Sequence, residues 1–440
     1  EHYEFRLVRE ALAEREVLLA KAPHIIRPMR FVLPHVDGMR SRALIRAGLF
    51  LYDHLAARRT LGGSHAIDLG TDPAGVPLAS HLKHAFSYWD CAVDDARLVV
   101  LNAIAAREAG ARIVTRTPVR ALRVEGGLWI VSLGEGSRDV AARAVVNAAG
   151  PWVGDVARLG KSSGARSADV RLVRGSHIVV PRIAGANDAY TLQNSDGRVV
   201  FVLPFESDFT LIGTTEQPQG RDPRSVSVSS DEESYLLTAV NRYLRVPIKP
   251  EQIVWTFAGV RPLDDDGSDN VSAITRDYRL DLQSEGTPPI LNVIGGKITT
   301  YRRLAEAALD LLAQHFPAAR PGSTRNAPLP GGDFEGRAFD AWFDDFARRH
   351  AGFERRTLMR LARRYGARTE RVIDGATSER DLGQDFGAGL CAREIIYLKS
   401  EEWADAAEDI LWRRTKTGLH IAPEARASAA DAIQGYVDKL

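Results

Sequence analysis

The segment LNVIGGKITTYRR (residues 291–303) places a lysine and two threonines directly after a glycine pair. An apolar run precedes the pair, and the following LAEAALDLLAQHF has the spacing of a helix with one apolar face. We therefore expect a strand, a glycine turn and a helix. Because the first turn of a helix presents unbonded backbone N–H groups, this turn and Lys297 suit the binding of an anion.

Two better-known glycine motifs are not satisfied. In GGKITT, Lys297 is followed by Ile298, and no glycine stands five residues before Gly296, so the spacing of a nucleoside-triphosphate loop is missing. The segment GAGLCA (387–392) follows ERDLGQDF, which does not read as a strand. A nicotinamide-dependent dehydrogenase is therefore disfavoured.

Two arginines stand on either side of LDDDGSDN (263–270), a turn rich in aspartate. They are Arg261 in GVRPL and Arg276 in ITRDY. Arginine keeps its charge and binds phosphate through two parallel hydrogen bonds, so this pair could fix a phosphorylated substrate. The alternative is that both are surface arginines paired with the aspartates of the turn.

His177, in GSHIVV, begins a strand of alternating pattern. A lone histidine in such a place is more often structural than catalytic. Its ordinary pKa of about 6.5 nevertheless suits a proton acceptor. Both interpretations stay open on the residues alone.

A large globular fold must position these groups. The chain has 440 residues, of which 45% are hydrophobic, enough for two or three domains. Its net charge of +1 gives no general attraction to nucleic acid. Cys91 and Cys391 form neither a metal-binding nor a disulfide pattern, which favours a reducing compartment, and no apolar run is long enough for a transmembrane helix.

The pattern of elements changes along the chain. Residues 165–290 read as short alternating strands separated by glycine, proline and aspartate turns, which predicts an antiparallel sheet. Residues 290–316 return to strand and helix. The segment 325–336 is rich in proline and glycine and marks a domain boundary, beyond which the sequence predicts helices.

Several stretches, in order along nearly the whole chain, resemble one family, the FAD-dependent glycerol-3-phosphate dehydrogenases of bacteria and mitochondria. They are EHYEFRLVREALAEREVLL (1–19), DDARLV (94–99), VVNAAGPWV (145–153), RLVRGSHIVVP (171–181), LIGTTE (211–216), WTFAGVRPL (255–263), AITRDY (273–278), GGKITTYRRLAE (295–306) and LWRRTKTGL (411–419). Each stretch is weak evidence alone, but the ordered set is specific.

The resemblance implies an α/β fold, with an FAD-binding domain like those of glutathione reductase and D-amino-acid oxidase. Added to it are an antiparallel substrate domain and an all-α C-terminal domain. We expect the FAD-binding domain to comprise 1–25, 91–160 and 288–318. The substrate domain, or cap, would comprise 26–90 and 161–287, and the helical domain 328–440.

The implied reaction is the oxidation of sn-glycerol 3-phosphate to dihydroxyacetone phosphate, with hydride transfer to FAD and electrons passed to quinone. A glycerol-phosphate oxidase on the same fold, which hands its electrons to oxygen, is the nearest alternative. An inactive truncated fragment that cannot hold FAD is the third.

The resemblance also assigns site residues. Arg261, Arg276, His177 and Lys297 match positions at the substrate, and His177, Arg261 and Lys297 are the catalytic candidates. Which group is the general base stays open, because Arg261 could instead steer an alkoxide-like hydroxyl. Glu216 stands where the family pattern leads us to expect aspartate, which puts the role of that carboxylate in doubt.

For the cofactor, the resemblance implies that the anion beside Lys297 is the pyrimidine end of the flavin. Contacts to FAD are expected from eight residues, and no metal site is expected. The eight residues are Val119, Ala149, Gly150, Gly295, Gly296, Lys297, Thr299 and Thr300.

Family members open with a strand, a glycine-rich turn and a helix that bind the FAD pyrophosphate, ahead of the stretch that matches Glu1. We therefore expect this chain to lack the N-terminal βαβ segment of the FAD-binding domain. FAD binding would then be weak or absent. The parallel sheet would also lack a strand, and its exposed edges would invite aggregation.

The implied partners are glycerol 3-phosphate, a membrane quinone and the membrane surface, with a homodimer left open and no nucleic acid. The implied location is cytoplasmic, peripherally associated with the inner face of the cell membrane. Residues 39–59 are basic and amphipathic, with Arg42 and Arg46 set against Leu44 and Phe50. This stretch could lie in the membrane interface or pack its apolar face inward, and the sequence does not choose.

Overall fold

The structure is a computed structural model that describes residues 5–36, 38–57, 59–135, 138–160, 170–220, 222–224, 226–264, 277–318, 320 and 322–440. Its strands, in chain order, are β1 Ile26–Pro34, β2 His65–Asp68, β3 His84–Val93, β4 Val119–Glu125, β5 Leu128–Leu133, β6 Arg138–Ala142, β7 Val145–Asn147, β8 Val170–Pro181, β9 Ala189–Gln193, β10 Val199–Phe205, β11 Phe209–Gly213, β12 Gln217–Pro218, β13 Trp255–Asp264, β14 Tyr278–Gln283 and β15 Ile290–Gly295.

The α-helices are α1 Phe5–Lys21, α2 Arg42–His54, α3 Asp95–Glu108, α4 Val153–Leu159, α5 Ser230–Asn241, α6 Tyr301–Leu312, α7 Phe339–Arg349, α8 Arg355–Tyr365, α9 Thr369–Ile373, α10 Ala392–Glu402 and α11 Arg426–Val437. In the described part of the chain, none of them is both long and apolar enough to cross a membrane. Asp94 caps α3 by accepting a hydrogen bond from the backbone N–H of Arg97.

The chain divides into two compact units. The sheet unit comprises Glu1–Glu14, Arg30–Trp89 and Arg116–Arg325. The helical unit comprises Arg15–Met29, Asp90–Thr115 and Asn326–Leu440. The three-domain boundaries that the resemblance implies stay a prediction.

A nine-stranded sheet dominates the sheet unit, in the order β12-β8-β11-β10-β9-β1-β3-β2, with β13 paired to the other edge of β8. β1 and β9 are parallel, whereas β8 to β13 pair antiparallel, as their alternating sequences predict. One face of this sheet is covered by α5, and its core includes Ile178, Ile212 and Leu236, all fully buried. The opposite face carries His177.

A second sheet has the order β14-β15-β7. β15 and β7 are parallel, and β15 supplies the apolar run that precedes the glycine pair, with Leu291 and Ile294 fully buried. Among the described residues β7 pairs with β15 alone, so its other edge offers unpaired backbone groups. The missing strand and the aggregation expected from the sequence stay predictions.

The third sheet, β4-β5-β6, is a meander whose first turn is the glycine pair Gly126–Gly127, both with positive φ. Trp129 of β5 is buried beneath it and donates a hydrogen bond to the carbonyl of Pro288 at 3.0 Å. Val119 begins β4 and packs against this small core.

The helical unit is built around an aromatic core. Phe339, Phe343 and Phe346 of α7 are buried one turn apart and pack with Leu361 and Tyr365 of α8. Their spacing is that of a helix with one apolar face. The helical C-terminal part predicted from the sequence is thus confirmed.

Candidate active site

The pairing of β8 with β13 brings His177 of β8 and Arg261 of β13 to one face of the large sheet. His177 lies directly opposite Phe257 of β13 on one side and Gly213 of β11 on the other. Val173, four residues earlier on β8, lies opposite Arg261. Because directly opposed residues and alternate residues share a face, His177 and Arg261 project from the same side, the side that α5 leaves open.

The ring of His177 packs between Phe257 and Gly213. It stacks on Phe257 with the ring centroids 4.9 Å apart, and a Cβ at Gly213 would lie 2.1 Å from its Cδ2. Its Nδ1 is buried and has no hydrogen-bond partner among the described residues. Burial, helped by the charge of Arg261, lowers the pKa of His177 to about 4. The ring is therefore neutral at pH 7 and able to accept a proton.

Arg261 reaches across the same face. Its Nη1 donates to Glu216 Oε1 at 3.1 Å and its Nη2 lies 3.5 Å from Thr214 Oγ1. A Cβ at Gly175 would lie 3.0 Å from Nη2, so the guanidinium extends over a glycine on β8. Asp264, the aspartate of the turn that the structure describes, accepts a hydrogen bond from Arg279 at 2.7 Å. The pairing of Arg261 with the turn stays an alternative.

A buried carboxylate on α5 holds the segment that carries Glu216. Glu232 accepts hydrogen bonds from Thr215 Oγ1 at 2.7 Å and Ser176 Oγ at 2.8 Å, and it pairs with Arg174 at 2.9 Å. Although burial raises the pKa of Glu232, its hydrogen bonds, that from Thr215 first, lower it overall. This network fixes Thr215. It thereby also positions Thr214 and Glu216, the two neighbours of Thr215 that contact Arg261.

The predicted strand, glycine turn and helix are present at 290–312. Gly295 and Gly296 have φ of +73° and +99°, a region that favours glycine. A Cβ at Gly295 would lie 2.9 Å from the Asp277 carbonyl and 3.9 Å from that of Pro262. Since Pro262 follows Arg261 directly, the turn lies beside the Arg261 end of β13.

Lys297 precedes a short 3₁₀ turn, Ile298–Thr300, which leads into α6. Thr300 is fully buried, and its hydroxyl donates to the carbonyl of Lys297 at 3.2 Å. Thr300 therefore stabilises the turn, whereas Thr299 is exposed.

Gly150 and Ala149 lie at the carboxyl edge of the parallel pair β7–β15. Asn147 ends β7 opposite Asn292, and its Nδ2 donates to Asn292 Oδ1 and to the Val153 carbonyl, both at 2.8 Å. Ala149 then precedes a short 3₁₀ turn, Gly150–Trp152, which packs against β13 and β15. In open α/β sheets, ligands bind outside this edge.

One described residue of the predicted site is not brought to this place. Val119 lies in the separate β4-β5-β6 sheet, where it packs near Leu122. Arg276 falls outside the residues that the structure describes. Across the described ranges, no group of His, Cys, Asp and Glu side chains is placed to hold a metal ion.

Two family models match this chain. Residues 1–302 match the family described as FAD dependent oxidoreductase, and residues 322–440 match the C-terminal domain of alpha-glycerophosphate oxidase. The chain belongs to the FAD-dependent oxidoreductases. The predicted fold class is thereby confirmed.

The relatives are similar over nearly the whole chain. Glycerol-3-phosphate dehydrogenase of Pseudomonas aeruginosa is 50% identical over 440 residues, covering 99% of this chain and 85% of the relative. D-Erythritol 1-phosphate dehydrogenase of Brucella abortus is 48% identical over 433 residues, covering 97% and 86%. The structure of the glycerol-3-phosphate dehydrogenase from Bacillus halodurans complexed with FAD has a TM-score of 0.74 at 23% identity, covering 97% and 84%, and it shows the shared fold.

The carboxyl edge of β7 and β15 fits the cofactor of this FAD-dependent family. Asn147 Oδ1 is buried there and lacks a hydrogen-bond partner in the described ranges. Gly150 has φ of +56°, and a Cβ on it would meet no described heavy atom within 4 Å. An unsatisfied acceptor and an open glycine backbone are features that a bound polar group uses.

Sequence reasoning missed the residues that support His177 and Arg261. The pattern SSDE (229–232) is a capping box and marks Glu232 as the start of a helix, although not as a partner of Thr215. Gly175 and Gly213 carry no signal in a single sequence, because their role depends on which strands become neighbours.

Proposed function

We propose that this FAD-dependent oxidoreductase converts sn-glycerol 3-phosphate to dihydroxyacetone phosphate and passes the electrons to quinone. The observation that carries the proposal is the shared open face of His177 and Arg261, with the Gly295–Lys297 turn beside Arg261. The Pseudomonas aeruginosa relative, half identical to this chain, is named for the same substrate.

In this proposal Arg261 and Lys297, together with Arg276, bind the substrate phosphate. A guanidinium offers two parallel donors to phosphate oxygens and keeps its charge at any relevant pH. Glu216 accepts a hydrogen bond from the Arg261 guanidinium, and the Arg261 side chain is 35% exposed, so part of it faces solvent. Glu216 thereby orients the guanidinium rather than binding substrate.

His177 accepts the proton of the substrate's secondary hydroxyl. The imidazole is neutral and stacked on Phe257, which fixes the plane of the ring. The charge of Arg261 weakens this base, and the negative charge of a bound phosphate offsets that effect. Binding of substrate therefore raises the basicity of His177 when the proton must be taken.

FAD, when bound, supplies the acceptor for the hydride released from the substrate carbon. The residues that would hold it are those of the Gly295–Thr300 turn, Ala149 and Gly150, with Val119 toward the adenine half. Lys297 and the N-terminus of the helix behind it favour negative charge at that place.

Electron delivery separates the dehydrogenase from the oxidase. The relatives named above are dehydrogenases, which disfavours a glycerol-phosphate oxidase. The FAD-loaded chain, given glycerol 3-phosphate, is expected to reduce a soluble quinone analogue and to form little hydrogen peroxide in air. Peroxide formation at the rate of substrate oxidation, without quinone reduction, contradicts this part of the proposal.

The proposal includes peripheral binding to the inner face of the cell membrane through α2. None of its described side chains is buried, and Leu44, Phe50 and Leu51 are 55%, 58% and 45% exposed beside Arg42. A basic helix with exposed apolar groups suits an anionic lipid surface. Sedimentation with anionic vesicles tests this, because Phe50→Glu is expected to release the protein and unchanged binding contradicts it.

Assembly as a homodimer stays a prediction, which sedimentation velocity measures.

A second substrate candidate is D-erythritol 1-phosphate, for which the Brucella abortus relative is named. Open space on the site face favours it. A Cβ at Gly259 would meet no described heavy atom within 4 Å. The same phosphate contacts could then serve a polyol phosphate that is one carbon longer.

A further inference from the structure

Glycines stand at three points of the face that carries His177 and Arg261, and they differ in what fills the space above them. The space over Gly213 is taken by the His177 ring, 2.1 Å from a built Cβ. The space over Gly175 is taken by Thr214 Oγ1 at 2.6 Å and by Arg261. Over Gly259 the described part of the chain places nothing within 4 Å.

Gly259 occupies the centre of the proposed site. It lies opposite Gly175 and midway between Phe257 and Arg261 on β13, so it shares their face. Its φ lies outside the left-handed region, and its position is exposed. Neither backbone conformation nor packing among the described residues therefore requires glycine here.

We infer that Gly259 determines the length of polyol phosphate that the site accepts. This inference rests on the proposed function. With the phosphate held at Arg261 and the reacting hydroxyl at His177, the bare backbone of Gly259 leaves room for the extra carbon and hydroxyl of a four-carbon polyol phosphate. A side chain at 259 would project into that room from the floor of the site.

The test compares wild type, Gly259→Ala and Gly259→Val, each loaded with FAD, on glycerol 3-phosphate and D-erythritol 1-phosphate. We expect the ratio of kcat/KM values to shift toward glycerol 3-phosphate by about tenfold or more in the valine variant, the scale of one misfitting methylene. Alanine should shift it less, and the change should lie mainly in the KM for the longer substrate. Gly220→Ala, an open exposed position outside the face, is the matched control.

Three results overturn the inference: a wild type that rejects D-erythritol 1-phosphate, an unchanged ratio in both variants, or an equal loss for both substrates. Ligand-induced shifts in thermal unfolding by the two polyol phosphates give a readout independent of turnover. If wild type oxidises neither compound, the proposed function fails, and the binding preference still decides the role of Gly259. Should the valine variant fold poorly, the alanine variant decides the question.

Discussion

Two titratable side chains, Glu394 in the helical unit and His177 in the sheet unit, differ in whether the fold satisfies their buried polar atoms. In the helical unit, Glu394 is fully buried and accepts hydrogen bonds from Arg360 at 2.9 Å, Arg364 at 2.5 Å and the Tyr365 hydroxyl at 2.8 Å. In the sheet unit, His177 keeps a buried ring nitrogen with no partner in the described ranges. The bonding capacity of Glu394 is used within the fold, whereas His177 keeps a ring nitrogen that the described part of the fold does not use.

The pKa values express the same contrast. Burial alone would raise the pKa of Glu394, but the charges of Arg360 and Arg364 outweigh it and lower the value to about 2. His177 has no such compensation, so burial lowers its pKa to about 4 and keeps it neutral. The comparison teaches that a dense run of arginines, such as that at 355–371, is a poorer guide to a site than one histidine whose buried Nδ1 has no partner in the described ranges.

The largest effect on the free energy of unfolding is expected from removing the buried charge of Glu394 in the helical unit. Glu394→Gln leaves two arginines without their counter-charge, and it should lower the free energy of unfolding by about 3–5 kcal/mol. Urea unfolding measures this. Glu335→Gln, an exposed carboxylate of the same unit, should change stability by less than about 0.5 kcal/mol. Equal effects in the two variants would show that the satisfied network does not support the fold.

Arg261→Ala tests the other side of the comparison. Loss of two charge-assisted bonds to phosphate, worth about 3–4 kcal/mol together, should lower kcat/KM for glycerol 3-phosphate by about 10²- to 10³-fold. Arg261→Lys should recover only part, since a lysine lacks the planar fork. Arg182→Ala, which removes an arginine just beyond β8 that binds a loop carbonyl and Asn187, is the matched control. A similar loss in the control would contradict the assignment.

His24, which is buried, adds a third side chain to the comparison of Glu394 with His177. It lies in the helical unit like Glu394, but its hydrogen-bonding groups resemble those of His177. Both of its ring nitrogens lack partners among the described residues, and burial, with the charges of Arg97 and Arg363, lowers its pKa to about 3. The unfolded chain binds a proton at about pH 6.5 whereas the fold does not, so stability falls as pH decreases below that value. The slope contributed is up to about 1.4 kcal/mol per pH unit.

His24→Phe should remove this contribution, since Phe334 already packs against the ring and an apolar replacement needs no partner. Urea unfolding at pH 7 and pH 5 measures the change in slope. The same substitution at His81, which is exposed, should leave the slope as it is. An undiminished slope in the His24 variant would mean that other groups cause the acid sensitivity.

The smallest expected effect is that of Glu216, which orients Arg261. Glu216→Gln keeps a hydrogen-bond acceptor but loses the charge, which is worth about 1 kcal/mol in a partly exposed pair. We expect KM for glycerol 3-phosphate to rise by about fivefold with little change in kcat, and Glu216→Asp to restore part of the loss. A fall in kcat with constant KM would instead place Glu216 in the chemistry.

The local elements were predictable from the sequence. Apolar spacing around the glycine pair predicted the strand, turn and helix at 290–312, because these signals lie within a few residues of one another. The alternating sequences that predicted the antiparallel strands β8, β10 and β11 also lie within single short segments. For residues 39–59, the sequence left the orientation open, and the structure leaves the side chains of α2 outside the core.

What escaped prediction depends on strand neighbours. Arg261 donates to Glu216, which lies 45 residues away in the sequence. The position of the His177 ring requires that residue 213, on another strand, has no side chain. Alternation assigns residues to a face, but it does not say which strand lies beside which, so these contacts follow only from the register of the sheet.

The most direct test of the central claim is anaerobic addition of glycerol 3-phosphate to the FAD-loaded chain, followed by visible absorbance. We predict that the flavin absorbance bleaches on mixing, and that Arg261→Ala slows the bleaching by about 10²-fold or more at low substrate concentration. Dithionite provides the fully reduced reference. A flavin that dithionite reduces but glycerol 3-phosphate leaves oxidised would contradict the account.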